Sequence, residues 1–245
     1  MRMSSITRYN IPMKKMLLIT AVLLVAGFGC NKGINEVVYV NGNLNHEGKI
    51  CIPEGEGPHP AVVFNHGGLN GTIGGAPEKT CEALAAAGFV GFSPIRREAT
   101  ALQGHLDGVF AALDHVKGLN YVDTERVGMM GFSRGGLLTF MAMTKRPDIA
   151  ASVIMAPAPG NGALQKTFPD IGGITAPSLI LVAENDTVQA NHVQSSRQLR
   201  GVLESAGKHA QLIVYPAYKK DGHQMFFEVG DYWDDVEMFL NEHLK

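Results

Sequence analysis

The sequence predicts an α/β fold, a mostly parallel, doubly wound sheet with helices on both faces. Three observations carry this expectation. Short apolar runs alternate along the chain with longer stretches of helical periodicity, the pattern of strands joined by helical crossovers. The runs are apolar at every position, as in Leu179-Ile-Leu-Val182, whereas a strand with one wet face would alternate. The 245 residues, 45% hydrophobic and 18% charged, have the composition of a single globular domain. The net charge is −2, and no basic run or basic–aromatic interleaving suggests a nucleic-acid partner.

The elements follow in order. Val37–Val40 and Lys49–Ile52 read as an antiparallel pair across a Gly/Asn-rich turn. Ala61–Phe64 is a buried strand that ends at Asn65-His66-Gly67-Gly68-Leu69-Asn70-Gly71. Pro77–Ala87 is an alanine-rich helix stopped by Gly88, and Phe89–Phe92 the next strand. In His105–Lys117 the residues Leu106, Val109, Phe110 and Leu113 share one helical face. Val127–Met130 is a strand and Gly136–Lys145 a helix, with a tight turn between them. Further strands are expected at Ser152–Met155, Ser178–Ala183 and Gln211–Tyr215, and helices at Asn191–Ser205 and Tyr232–Leu244. Only about 20 residues separate Ala156 from Ala176, which leaves little or no room for a cap over the sheet.

The first thirty residues differ from the rest. Lys14-Lys15 precedes an apolar stretch, Met16–Phe28, and then Gly29-Cys30. A basic start followed by a short apolar core reads as a signal peptide over residues 1–29, too short to span a bilayer comfortably. Small residues before a cysteine resemble the lipobox of bacterial lipoproteins, in which the cysteine becomes the acylated N-terminus. Gly27 and Phe28 depart from that pattern. The expected organisation is therefore an export signal, a tether over 30–36 and one domain over 37–245, lodged in a bacterial cell envelope. Its contact with a membrane runs through a lipid on Cys30 alone. Losing residues 1–29 removes four basic residues and no acidic one, taking the net charge from −2 to −6. Cys51 and Cys81, on a predicted strand and a predicted helix, are expected as buried small hydrophobes rather than as a disulfide. Without C-x-x-C or H-E-x-x-H, and with scattered histidines, the sequence suggests neither a metal nor a cofactor.

Chemistry concentrates in Gly131-Phe-Ser-Arg-Gly135, between a strand and a helix. This is G-x-S-x-G in the context that makes it a nucleophile elbow, a turn so tight that a Cβ at either glycine clashes. It pushes Ser133 out at the tip of the sheet. A serine hydroxyl needs a base, and the base needs an orienting carboxylate. Both lie downstream: Asp186 after the strand Ser178–Ala183, and His223 after the strand Gln211–Tyr215. Glu184 competes for the acid role but sits nearer the strand end, where a structural role is expected. His209 and His192 compete for the base role, and their positions at a strand start and in a helix put them at the wrong end or on the wrong face. The oxyanion of a tetrahedral intermediate is expected to meet the backbone N–H of Arg134 and that of Gly68 or Leu69. His66 is expected to order its loop. Arg96-Arg97, just past a strand end, is expected to form a salt bridge near the sheet top, with anionic substrate as the alternative.

His66-Gly-Gly, Gly131-Phe-Ser-Arg-Gly135, Glu184-Asn-Asp-Thr-Val188 and Gly222-His223 together resemble the α/β-hydrolase superfamily. The lead-in around His59-Pro-Ala-Val-Val and the stretch Asp123-Thr-Glu-Arg-Val-Gly-Met-Met-Gly resemble its dienelactone hydrolase and prolyl-oligopeptidase-like branch, over about residues 37–245. The resemblance implies an α/β-hydrolase fold and a Ser133–His223–Asp186 acyl-enzyme mechanism on a small-molecule ester or acyl substrate. Two departures limit it. Dienelactone hydrolase itself uses a cysteine nucleophile where this chain has Ser133, and only a few residues precede the hydrolase region where prolyl oligopeptidases carry a propeller, so size-gated peptidase activity is not implied. An esterase is the favoured reading. A peptidase or acylaminoacyl-hydrolase with the same triad is the first alternative, and a lipid-anchored binding protein without turnover is the second. Substrate identity and oligomeric state are not legible.

Overall fold

The computed structural model describes residues 35–245 apart from 42–43, 69–72 and 97–101, with backbone only for 38–41 and 44–46. Its eight strands form one sheet: β1 (Asn35–Asn41), β2 (Leu44–Cys51), β3 (His59–Asn65), β4 (Val90–Ile95), β5 (Val122–Phe132), β6 (Ser152–Met155), β7 (Ser178–Ala183) and β8 (Ala210–Tyr215). Their order across the sheet is β1-β2-β4-β3-β5-β6-β7-β8. β2 runs antiparallel to both β1 and β4, and every other pairing is parallel. The helices are α1 (Pro77–Ala86), α2 (Gln103–Lys117), α3 (Arg134–Met143), the short α4 (Ala163–Thr167), α5 (His192–Ser205) and α6 (Trp233–Leu244).

The continuous apolar strands have their physical reason in two cores, one on each face. Ala61, Val63, Val127, Met129, Ile154 and Ile180 pack with α2, α3 and α5, through Leu113, Leu138 and Leu199 among others. The alternate residues Val62, Phe64, Met130, Val153, Leu179 and Leu181 pack with α1 and α6, through Leu84, Phe239 and Leu240. Each large apolar side chain buried in this way contributes about 1.5–3 kcal/mol. Local sequence sets the helix ends. Pro77 opens α1 where a missing N–H is harmless. The Asn191 side chain accepts the N–H of Gln194 at 2.9 Å and starts α5.

The structure departs from the sequence reading at several points. β1 begins at Asn35, so the last two residues assigned to the tether are in the sheet; Glu36 there meets Lys49 of β2 at 3.0 Å. β5 starts five residues earlier than Val127, with Arg126 tied back to Asp123 at 2.7 Å. Between β6 and β7 the chain folds into two 3-10 turns flanking α4, over Gly160–Gly162 and Phe168–Gly173. Cys51 and Cys81 form a disulfide rather than two separate apolar contacts, because β2 and α1, remote in sequence, lie side by side with 5.6 Å between the two Cα atoms. The expected signal peptide and Cys30 lie outside the described residues.

Candidate active site

Five strand ends converge at one edge of the sheet. Ser133 stands between β5 and α3 as the N-cap of the helix, with φ 53° and ψ −113°. A non-glycine residue with positive φ is strained and persists only where its surroundings hold it. Here the Ser133 N–H donates to Met155 O at 2.9 Å, and its carbonyl accepts from Ala158 at 3.0 Å and from Leu137 at 3.1 Å. The glycines on either side are steric necessities: a Cβ on Gly131 would run into the carbonyl of Gly135, and one on Gly135 into the carbonyl of Asn65. Asn65 closes β3 against the helix, its Nδ2 donating to Thr139 Oγ1 at 2.9 Å.

Asp186 and His223 meet although 37 residues separate them. His223 Nδ1 lies 2.9 Å from Asp186 Oδ2 and 3.1 Å from Oδ1, with both side chains buried. A carboxylate accepts only, so Nδ1 carries the hydrogen and Nε2 is left with a free lone pair. His223 rides on a 3-10 turn, Gly222–Phe227, and its own backbone N–H donates to the Asp221 side chain at 3.1 Å. That turn presses on the end of β7, where a Cβ on Gly222 would come within 2.7 Å of Asp186 N. Glu184 points away, its Oε1 accepting from Ala217 N at 3.1 Å on the loop after β8. His209 precedes β8 at the opposite end of the strand and packs on His243.

The loop after β3 is fastened by polar contacts. His66 Nδ1 donates to Gly67 O at 2.7 Å, and His66 Nε2 accepts the Arg96 N–H at 3.0 Å. Both nitrogens are thereby committed in the neutral form. Burial, then the nearby Arg96 charge, pushes its pKa down to about 4. Arg96 forms no salt bridge among the described residues. Its guanidinium donates instead to the carbonyls of His66 (2.8 Å), Gly67 (3.3 Å) and Gly68 (2.6 Å). The sequence reading missed this because carbonyl clamps have no charge pattern. Burial and the Arg134 charge bring the Arg96 pKa to about 10, which leaves it a cation at neutral pH. Gly67 N–H is spent on Gly74 O at 2.8 Å, while Gly68 N–H has no backbone acceptor among the described residues. The Arg134 N–H belongs to the first turn of α3, where helix amides lack an intrahelical acceptor. Leu69 and Arg97 lie outside the described residues.

His192 is placed against expectation. As the first residue of α5 it is buried at the site, its ring stacked on that of His223 with centroids 4.3 Å apart and planes at 29°. Its Nε2 comes within 4.0 Å of Asp186 Oδ1. The available signal was position. A crossover helix starts at the carboxyl edge of the sheet, so its first residue faces the site where a later one does not. Ligand atoms of Asp186, His192 and His223 lie within 4.8 Å of one another. His223 Nδ1 carries the hydrogen it donates to Asp186, so in this tautomer that nitrogen offers a metal no lone pair.

Comparison with known proteins decides the family. The dienelactone hydrolase family matches residues 95–228, more than half of the chain. The chain belongs to that family. It is a hydrolase of the esterase type. "Protein usf" of Aquifex pyrophilus is 27% identical over 168 residues, 61% of this chain and 71% of that protein. A bis(hydroxyethyl) terephthalate hydrolase of Streptomyces coelicolor is 34% identical over 119 residues, 45% of this chain and 36% of that protein. Among solved structures, a Pyrobaculum calidifontis esterase superposes with TM-score 0.71 at 17% identity, covering 86% of this chain and 84% of that one. A Pyrococcus horikoshii acylaminoacyl peptidase gives TM-score 0.70 at 17% identity, and this chain spans 42% of its length. At such identities the two structures establish the shared α/β-hydrolase fold.

Proposed function

We propose that this member of the dienelactone hydrolase family is an exported serine esterase that cleaves small-molecule carboxylic esters through an acyl-enzyme on Ser133. The observation that carries the reading is the buried Asp186–His223 hydrogen bond, at the same sheet edge as a serine in a strained turn.

The steps follow from the donors and acceptors. His223 Nε2 takes the Ser133 Oγ proton as Oγ bonds to the ester carbonyl carbon. Asp186 stabilises the imidazolium that forms and keeps its ring aimed. The carbonyl electron pair moves onto oxygen, where the N–H groups of Arg134 and of Gly68 or Leu69 receive it. The C–O bond to the alcohol then breaks, and the alcohol leaves with the proton from His223. Water, deprotonated by the same nitrogen, repeats the sequence and frees the acid. Arg96 serves by holding the Gly68 loop in place.

Export rests on the Lys14-Lys15 and Met16–Phe28 segment, with lipid attachment at Cys30. The Cys51–Cys81 disulfide supports it, since such bonds persist in oxidising compartments. An intact mass of the cell-derived protein showing an acylated Cys30 terminus is expected. Retention of residues 1–29 in a cytoplasmic product would overturn export.

A substrate panel tests the catalytic reading: p-nitrophenyl and terephthalate esters, the latter suggested by the Streptomyces relative, against aminoacyl anilides. Turnover of esters that a fluorophosphonate abolishes is expected. Preference for anilides, or indifference to the fluorophosphonate, contradicts it.

A further inference from the structure

We infer that His192 is a positioning residue for the reaction, a second imidazole that fixes the ring plane of His223 and joins the supports of the three reacting side chains. The inference rests on the assignment of His223 as base. Hydrogen bonding to Asp186 fixes one axis of the His223 ring, along Nδ1, and leaves the ring free to tilt about it. In the proposed mechanism Nε2 has to face Ser133 Oγ, and a tilt would misaim it. Two side chains oppose it. Phe132, the residue before Ser133, lies tilted against His223 with centroids 4.5 Å apart and planes at 39°, and His192 stacks with centroids 4.3 Å apart and planes at 29°.

His192 is itself anchored at two points, and the segment that anchors it holds Ser133. Its backbone N–H donates to the Asp186 carbonyl at 3.0 Å, on the loop that presents the carboxylate. Its Nδ1–H donates to Pro157 O at 3.2 Å. The next residue, Ala158, donates its N–H to Ser133 O at 3.0 Å. One buried ring thus links the acid's loop, the base's ring and the segment that holds the serine in its strained turn. A carbonyl acceptor at Nδ1 explains why a histidine serves better here than an apolar ring, because that bond sets the plane of His192.

The anchor also sets its charge state. With Nδ1–H on Pro157, the Nε2 lone pair is left beside Asp186. Burial lowers the pKa of His192 and keeps the ring neutral. The ionisable groups facing it are Asp186, from the β7–α5 loop, and His223, from the turn after β8; its other polar neighbours are the carbonyls of Ala156 and Pro157. A neutral ring can stack on His223 as it becomes an imidazolium. A protonated one would repel it and compete for Asp186.

The experiment is a double-mutant cycle on an activated ester, with kcat and KM measured for His192→Ala, His192→Phe, His223→Ala and the double variant His192→Ala/His223→Ala, each with its melting temperature. His192→Ala is expected to lower kcat on the order of 10²-fold, the cost of an ångström-scale misplacement, with KM within about twofold of wild type. His192→Phe, which keeps a ring to stack, is expected to recover part of the loss and to report even if the alanine variant fails to fold. In the His223→Ala background, removing His192 should cost nothing further, because its effect passes through His223. Unchanged kcat in the His192 variants, or a His192 loss that adds to the His223 loss, overturns the inference. Full activity in His223→Ala would instead overturn the assignment of the base, which separates the two failures.

Discussion

On one side of Ser133 a buried carboxylate meets two imidazoles; on the other an arginine meets three carbonyls. Each side holds a histidine that burial keeps neutral, His192 near Asp186 and His66 near Arg96. The placement of charge differs in the way the proposed chemistry requires. In the proposed mechanism Asp186 lies where an imidazolium would form, and the Arg96 guanidinium holds the loop that would face the carbonyl oxygen as it turns negative. Fixed charges of this kind do their work without reorganising during the reaction. The two sides also differ in construction. The base side is packed, with rings stacked on rings and a 3-10 turn pressed on β7. The loop side is tied, with one guanidinium holding a glycine segment that has almost no side chains to pack.

Breaking the base side has the larger expected effect. Asp186→Asn should lower kcat on the order of 10⁴-fold, as the wrong tautomer does in a serine protease. Glu184→Gln, whose carboxylate receives the Ala217 N–H on the loop after β8, should leave kcat close to wild type. The reverse ranking, read from steady-state kinetics, would reassign the acid.

Loosening the loop side comes next. Arg96→Met should cost about 10²-fold in kcat, the scale of one displaced oxyanion donor, with KM little changed. Arg96→Lys should not rescue it, because an ammonium cannot span three carbonyls as a planar fork does. Rescue by lysine would show that charge alone matters there.

Stability follows the same division. The pKa of His66 is about 4 in the fold and 6.5 as the ordinary value. Between those pH values the unfolded chain binds the proton and the folded chain does not, so acidification favours unfolding. His66 should therefore contribute stability above pH 6.5 and lose it as pH falls toward 4, on the order of 3 kcal/mol in total. Denaturant melts across that window should show the loss in wild type and a smaller one in His66→Asn. Away from both sides, reducing the Cys51–Cys81 bond should lower stability by about 2–4 kcal/mol and leave kcat unchanged in the protein that remains folded, as parallel melts and assays would show.

The legible parts of the sequence were those with local causes. β6 and β7 fall on their expected residues because continuous apolar runs have sharp ends. The elbow was legible because Gly131 and Gly135 are demanded by backbone contact, and the structure brings Asp186 and His223 together as their places after two strands imply. What escaped was set by tertiary neighbours. Cys51 finds Cys81 because β2 lies against α1, Arg96 finds three carbonyls, and His192 faces the site because the Asn191 cap begins α5 at that residue. The partners of Cys51 and Arg96 lie far away in sequence and leave no period or spacing, whereas His192 left only the signal of its place at the start of a crossover helix.

The central claim is that Ser133 and His223 act as a unit, and trapping the acyl-enzyme tests it most directly. Wild type, Ser133→Ala, His223→Ala and the double variant are mixed with an activated ester and quenched in acid, with peptide masses and kcat measured on the same samples. The account predicts one acyl group on the peptide that contains Ser133 in wild type. It also predicts losses on the order of 10⁶-fold in kcat for either single variant, with little further loss in the double. An acyl group on another residue, or losses that multiply in the double variant, would contradict it.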